Sequence, residues 1–215
     1  MKRTLLLLTI ALVAPAVVHA TTATANAELQ AGLVAHHRGD YQQAFADFRQ
    51  LAAQGNADAE AHLGGMYSNG QGVPQDIAKA MKWYRLAAAQ GNADAEALLG
   101  ALYTIGRTPL GRGVPKNYAK ALKWYRLAAA QGEADAEFGL GMMYTNGQGV
   151  PQDYVAAYKW YLIAKATMSA TSPYYAVVSN NVKQLAARMT PAQIAQAQQE
   201  AFAWYAAHEH AGRVP

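Results

Sequence analysis

Apolar residues recur at helical spacing through most of this chain, in short blocks separated by glycine-rich turns. In residues 59–70, Ala59, Leu63 and Tyr67 are spaced by four and share one face of a helix. A second block follows the turn, and its apolar stripe consists of Ala80, Trp83, Tyr84 and Ala87. The pattern predicts two helices joined by a loop, each with one face to bury.

The same pair of blocks recurs along the chain, which predicts a stacked array. The string KWYRLAAAQG occupies 82–91 and 123–132, and a looser copy, KWYLIAKATM, occupies 159–168. Aligned on these strings and on the Gly-Val-Pro turns, the units are a short one at 28–55 and full ones at 56–91, 92–132 and 133–168. Because one unit cannot bury its apolar face alone, its neighbours must complete the core.

Polar residues and glycines mark where each predicted helix begins and ends. Asn56 and Asn92 stand where an N-cap belongs, and an aspartate two residues later suits the helix dipole. The second helices are predicted to begin after Asp76, Asn117 and Asp153. Glycines are predicted to end the helices, at Gly70, Gly106 and Gly147 and at Gly91 and Gly132.

A glycine also lies in the middle of each predicted first helix, at Gly64, Gly100 and Gly141. Glycine there costs about 1 kcal/mol relative to alanine, so its recurrence indicates a close approach by another side chain. We expect a bulky ring of the second helix, such as Trp83, to fill the space. Core packing accounts for the recurring Trp and Tyr residues better than a stacking platform for sugars or bases does.

The segment LGGMYSNGQGVPQDIAKAMKWYRLAAAQG at 63–91 and its two counterparts resemble the Sel1-like repeat, a branch of the tetratricopeptide-like helical repeats. The resemblance covers 28–168 and implies an all-α fold, a right-handed α-solenoid of antiparallel helical hairpins. The stretch RMTPAQIAQAQQEAFAW at 188–204 resembles a closing helix common in such bacterial proteins. We therefore expect a C-terminal capping helix pair, folded as a hairpin, in 169–215. The resemblance says little about function, because one fold serves many functions.

The first twenty residues have the three regions of a secretory signal peptide. Lys2 and Arg3 are basic, an apolar run follows, and small residues precede a predicted cleavage after Ala20; alternative sites follow Ala25 and Ala27. We expect a linker at 21–27 and a mature protein in the periplasm or the medium. The chain has no cysteine, so neither a lipid anchor nor a disulfide is expected, and no further run is long enough to span a membrane.

No residue pattern favours catalysis, a cofactor or a metal. The Asp-x-Glu pairs, such as Asp58 and Glu60, recur in every unit, which indicates a first-turn role. The chain contains neither Ser-x-x-Lys nor Gly-x-Ser-x-Gly, and its Gly-x-Gly-Val-Pro turns follow no predicted strand. The histidine clusters at 36–37 and 208–210 supply too few ligands for a zinc site and are expected to be solvated.

Positions that vary between units on the first helix are candidates for partner contact, because in such superhelices that helix usually lines the concave face. They are His62, Met66, Asn69, Leu98, Leu102, Ile105, Phe138, Met142 and Asn146. The middle unit also has five extra loop residues, which the fold does not need. Arg107, Leu110 and Arg112 of this loop place an apolar side chain between cations, a pattern suited to an acidic partner surface.

Charge differs between the units. Residues 92–132 hold six basic and two acidic side chains, whereas 133–168 hold two basic and four acidic ones. Without Lys2 and Arg3 the chain keeps sixteen basic and fourteen acidic side chains, a net charge of +2, which argues against nucleic acid as a partner. The interpretation we favour is an exported adaptor that binds a protein or peptide. A protein that binds or acts on cell-wall glycan is the alternative, and the oligomeric state stays open.

Overall fold

The structure, a computed structural model, describes residues 15–106 and 113–208, with side chains from residue 24. These residues form ten helices. They are α1 Pro15–His37, α2 Tyr41–Ala52, α3 Ala57–Asn69, α4 Ile77–Ala89, α5 Ala93–Ile105, α6 Tyr118–Ala130, α7 Ala134–Asn146, α8 Tyr154–Thr167, α9 Tyr175–Ala186 and α10 Pro191–His208. Consecutive helices from α1 to α8 pair into four hairpins, and each hairpin stacks on the next, which confirms the predicted α-solenoid.

The predicted N-caps begin the helices. Asn56 Oδ1 accepts the backbone N–H of Ala59 at 2.9 Å, and Asp76 Oδ1 accepts that of Lys79 at 2.9 Å. Gly70, at a φ of 71°, ends α3 in the left-handed conformation that glycine adopts without a steric penalty. These local signals set the helix lengths, so the hairpins of the full units pair their helices in the same register.

The mid-helix glycines do receive a ring, but from the tyrosine that follows the predicted tryptophan. A Cβ on Gly64 would lie 2.5 Å from the ring of Tyr84; one on Gly100 would lie 2.6 Å from Tyr125, and one on Gly141 would lie 2.5 Å from Tyr161. The expectation for Trp83 was wrong: its side chain is only half-buried, whereas Tyr84 is 2% exposed. Adjacent residues on a helix point about 100° apart, so only one of the two rings can face the partner helix.

The short first unit uses the same contact. A Cβ on Gly32 of α1 would lie 2.8 Å from the ring of Phe48 on α2. The structure also corrects the predicted linker, because residues 21–27 belong to α1, which runs without a break from Pro15 to His37. The stretch TTATANA contains no glycine or proline, and its alanines favour helix.

Helices α9 and α10 follow the array as the predicted capping pair. They do not pack mainly on each other as a hairpin; each packs on α8. The ring of Trp204 meets that of Trp160 at 4.8 Å, and the Tyr205 hydroxyl donates to the Ile163 carbonyl at 2.7 Å. Within the described part of the chain, no helix is both long enough and apolar enough to cross a bilayer.

Candidate binding groove

The first helices of the three full units lie side by side and line one face of the array. Helix α5 contacts both α3 and α7, while α1 and α9 stand at the two ends. Together they enclose a groove of about 1150 Å³, which we call the concave groove. The arrangement follows from hairpins of the same register stacked in one direction, because equivalent helix faces then form a continuous surface.

Eight of the nine first-helix candidates line the concave groove. They are His62, Met66, Asn69, Leu98, Ile105, Phe138, Met142 and Asn146. Leu102 does not line the groove, since it packs against the core. The loop candidates Arg107, Leu110 and Arg112 lie outside the described residues.

The helix register explains why Leu102 does not line the groove. Aligned by unit, Leu102 is equivalent to Met66 and Met143, which are 1% and 0% exposed, so this position faces inward. Met66 therefore contributes only to the floor of the groove. The groove-facing position is one residue earlier in each unit, and it is occupied by Gly65, Ala101 and Met142.

Large apolar side chains in the groove are exposed to solvent. Leu98 is 40% exposed, Ile105 63% and Met142 36%. Tyr174 and Val177, which sequence reasoning missed, add two more from the start of α9. Their contribution could have been predicted only by recognising that α9 packs on α8 as the first helix of a further unit would.

The Asp-x-Glu pairs separate into two roles. The glutamates are buried and hydrogen-bonded within their own hairpin, where Gln90 Nε2 donates to Glu60 and Gln131 Nε2 to Glu96, each at 2.8 Å. Burial raises the pKa of both glutamates, and the amide bond opposes that shift. The aspartates instead line the concave groove, at Asp58, Asp94 and Asp135.

A fourth carboxyl group joins this acidic row. Glu133 is the N-cap of α7, at the position that asparagine occupies in the other full units, and it also lines the groove. Burial, followed by the charge of Asp94, raises the pKa of Glu133 to about 7. The same two causes raise the pKa of Asp135. We define Asp58, Asp94, Glu133 and Asp135 as the acidic wall of the groove.

Two histidines, His36 and His62, also line the groove. His62 stacks on Phe48 with ring centroids 4.7 Å apart, and its pKa is lowered first by burial and then by His36. His36, expected to be solvated, lines the groove and bonds Gln71 at 3.1 Å. His208 stacks on Trp204 rather than standing free. Among the described residues, no group of three His, Asp or Glu side chains could hold a metal ion.

Comparison with known proteins identifies the repeat. The Sel1 repeat family model matches residues 57–92, 93–133 and 134–166, within two residues of the predicted unit boundaries. No curated protein matches the chain.

Two solved structures are similar. A Sel1 repeat protein from Oxalobacter formigenes is 30% identical, with a TM-score of 0.63 over 73% of this chain and 58% of its own. A protective antigen present in uropathogenic Escherichia coli, which displays an SLR fold, is 26% identical, with a TM-score of 0.48 over 87% of this chain and 47% of its own.

The chain therefore spans little more than half the length of the first of these proteins and less than half of the second. The family match covers the three full units and leaves α1, α2, α9 and α10 outside it. Three matched repeats, the four stacked hairpins and a likeness to a solved Sel1 repeat protein agree with one another, and the chain belongs to the Sel1 repeat family.

Proposed function

We propose that this protein is an exported scaffold that holds a segment of a protein or peptide partner in the concave groove. Sel1 repeats generally mediate protein interactions, and members of the family are typically non-catalytic. The observation that supports a groove site is the exposure of Leu98, Ile105 and Met142 on one concave surface. Contiguous apolar surface of this kind marks interaction sites in soluble proteins.

The shape of the groove favours an extended occupant over a small molecule. Three parallel first helices contribute equivalent positions, so the lining repeats along the array. A chain that crosses α3, α5 and α7 in turn would meet His62, Leu98 and Gly139 at equivalent places. Because these side chains differ between units, each first helix presents a different surface to the occupant.

Export is supported by the residues at 1–20 alone. Their basic, apolar and small-residue regions match the order in a secretory signal. Cleavage after Ala20 would remove the first residues of α1 and keep Gly32, which packs on Phe48. Intact-mass analysis of the native protein tests this: we expect a mature N-terminus at Thr21, and folded cytosolic protein that retains Met1 would contradict export.

Affinity capture with matched variants tests the groove. In the groove variant, Leu98→Asp is combined with Met142→Asp; in the control variant, Leu86→Asp is combined with Leu127→Asp. Leu86 and Leu127 are each 41% exposed and lie on second helices outside the groove lining, so the two variants place the same charges at similar exposure. Circular dichroism should show that both variants fold.

We expect the wild-type protein and the control variant to capture the same partner from an envelope extract at a fixed ratio. The groove variant should capture much less of it. Loss of the partner from the control variant, with retention by the groove variant, would place binding on the other face and contradict the proposal.

A further inference from the structure

The concave groove has the opposite charge to the chain as a whole. The full sequence carries a net charge of +4, yet the acidic wall contributes four carboxyl groups to the groove. Arg188 supplies the single Lys or Arg side chain in the lining, as far as the described residues extend. The basic side chains of the middle unit that the structure describes, such as Lys120 and Arg126, lie elsewhere.

The two junctions between consecutive full units differ in the charge of one residue. Between the first two full units, Asn92 caps α5 through Oδ1 and donates from Nδ2 to Asp58 at 2.8 Å. At the next junction the same position holds Glu133, which caps α7 by accepting the Asp135 N–H at 3.3 Å. Glutamate has no N–H to donate to Asp94, so two carboxyl groups lie side by side here and share a hydrogen bond only when one of them is protonated.

This replacement has a cost for the fold. Burial and the nearby Asp94 charge both disfavour ionised Glu133, which is why its pKa rises to about 7. The ion pairs among the described residues are Lys79–Asp76 and Lys159–Glu200, and neither involves the acidic wall. Asparagine, which the two preceding units have at this position, would avoid this cost. Repulsion between the carboxyl groups of the acidic wall falls when a cationic side chain binds beside them.

Apolar side chains lie beside the acidic wall, so the occupant needs apolar side chains as well as a cation. Leu98 follows Asp94 by one helical turn, so the two lie about 6 Å apart along α5. On α7, Asp135 is followed at helical spacing by Phe138 and Met142. An occupant whose cation contacts Asp94 therefore needs an apolar side chain close to that cation.

We propose that the concave groove binds an extended partner segment in which a Lys or Arg side chain lies close to apolar ones. The cation contacts Asp94, Glu133 and Asp135, and the apolar side chains contact Leu98 and Met142. This inference rests on the proposed function and adds the chemistry of the partner. The groove and the loop would therefore bind surfaces of opposite charge, because the sequence predicts that the cations at 107 and 112 meet an acidic surface.

A displayed random-peptide library, panned on the full chain at low salt, tests the proposal. Retained peptides are those that bind the wild-type protein and lose binding to a neutral groove variant, Leu98→Ser combined with Met142→Ser, which removes the apolar contacts without adding charge. We expect this groove-dependent set to be enriched in Lys or Arg adjacent to apolar residues. Binding of a synthesised member should weaken as salt rises, because exposed charges are screened.

Glu133→Asn is the deciding variant, since it restores the residue of the other units. It should fold with an equal or higher Tm, and its affinity for the cationic peptide should fall about tenfold, as expected when a charged hydrogen-bond partner is lost. Asp76→Asn removes one charge outside the groove while keeping an N-capping side chain, and it should bind as the wild type does. Asp94→Asn provides a second test within the wall.

The outcomes separate the two proposals. Groove-dependent peptides that are neutral or acidic, or that bind Glu133→Asn as tightly as the wild type, would overturn the cationic partner and leave the groove site standing. A library that yields only peptides insensitive to the neutral groove variant would overturn both.

Discussion

The two faces of the first helices differ in how closely their residues repeat between units. Toward the second helix, Leu63, Leu99 and Leu140 are fully buried and identical in the three full units. Toward the groove, the equivalent positions hold His62, Leu98 and Gly139, which share neither size nor polarity. The contrast shows that the buried face preserves the register of the array, while the groove-side position changes with the ring that a neighbouring helix places beside it: His62 stacks on Phe48, and Gly139 leaves room for Tyr125.

The contrast has one exception, and the exception is informative. The three full units all have aspartate at this position, as Asp58, Asp94 and Asp135, yet these side chains line the groove. Identity within a repeat therefore does not always indicate packing. Each aspartate interacts favourably with the dipole at its helix N-terminus and also presents a negative charge to the groove, so one residue type serves both purposes.

Among changes on the buried face, removal of a ring should lower the free energy of unfolding most. Tyr125 is 7% exposed and its ring stands against both Gly100 and Gly139. Tyr125→Ala should lower the free energy of unfolding by about 3–5 kcal/mol, since both glycines would then border a cavity. Chemical denaturation monitored by circular dichroism measures it. A loss below about 1 kcal/mol would show that the ring is not part of the core.

Overfilling the same contact should have a smaller effect. A Cβ on Gly100 would lie 2.6 Å from the Tyr125 ring, so Gly100→Val should lower the free energy of unfolding by about 1–3 kcal/mol. Thermal melts of the two proteins provide the comparison. An unchanged or raised Tm would show that the helix gains more from losing its glycine than the contact loses.

A pH dependence should distinguish the buried acids from exposed ones. Glu137 is 1% exposed, and burial raises its pKa to about 7 from an ordinary value near 4.5, while the Thr167 hydroxyl bond opposes that shift. A raised carboxyl pKa means that the folded protein holds the proton more tightly. Stability from this group is then complete below about pH 4.5 and is lost as pH rises through 7.

Glu137→Gln removes this titration and isolates it from Glu133, whose pKa is shifted in the same direction. Between pH 5 and pH 8 the wild type should lose on the order of 1–2 kcal/mol more stability than the variant. Parallel stability curves for the two proteins would indicate that Glu137 is ionised without penalty in the fold.

The smallest effect on stability is expected on the groove face. Leu98→Asp changes a side chain that is 40% exposed and on the same helix as Gly100, so the free energy of unfolding should change by about 0.5 kcal/mol or less. Denaturation of this variant beside Gly100→Val checks it. A loss as large as that of Gly100→Val would mean that Leu98 supports the fold and that the two faces do not differ as described.

The sequence alone was enough to predict the hairpins, the N-caps and the mid-helix glycines, because each depends on residues close together in the chain. It could not decide between Trp83 and Tyr84 for the ring, since both lie on the second helix and only the helix orientation selects one. The candidates at 66 and 102 were placed one residue too late for the same reason. Glu133 went unnoticed because its effect depends on Asp94, which lies in the preceding unit.

Site-specific photo-cross-linking in the native host tests the groove most directly. A photoreactive phenylalanine analogue is placed at position 98 in the groove or at position 86 on a second helix, two leucine positions that are 40% and 41% exposed. We expect irradiation to give a discrete adduct with one partner protein from position 98 and none from position 86. An adduct from position 86 alone would show that the partner binds the other face and would contradict the proposed groove.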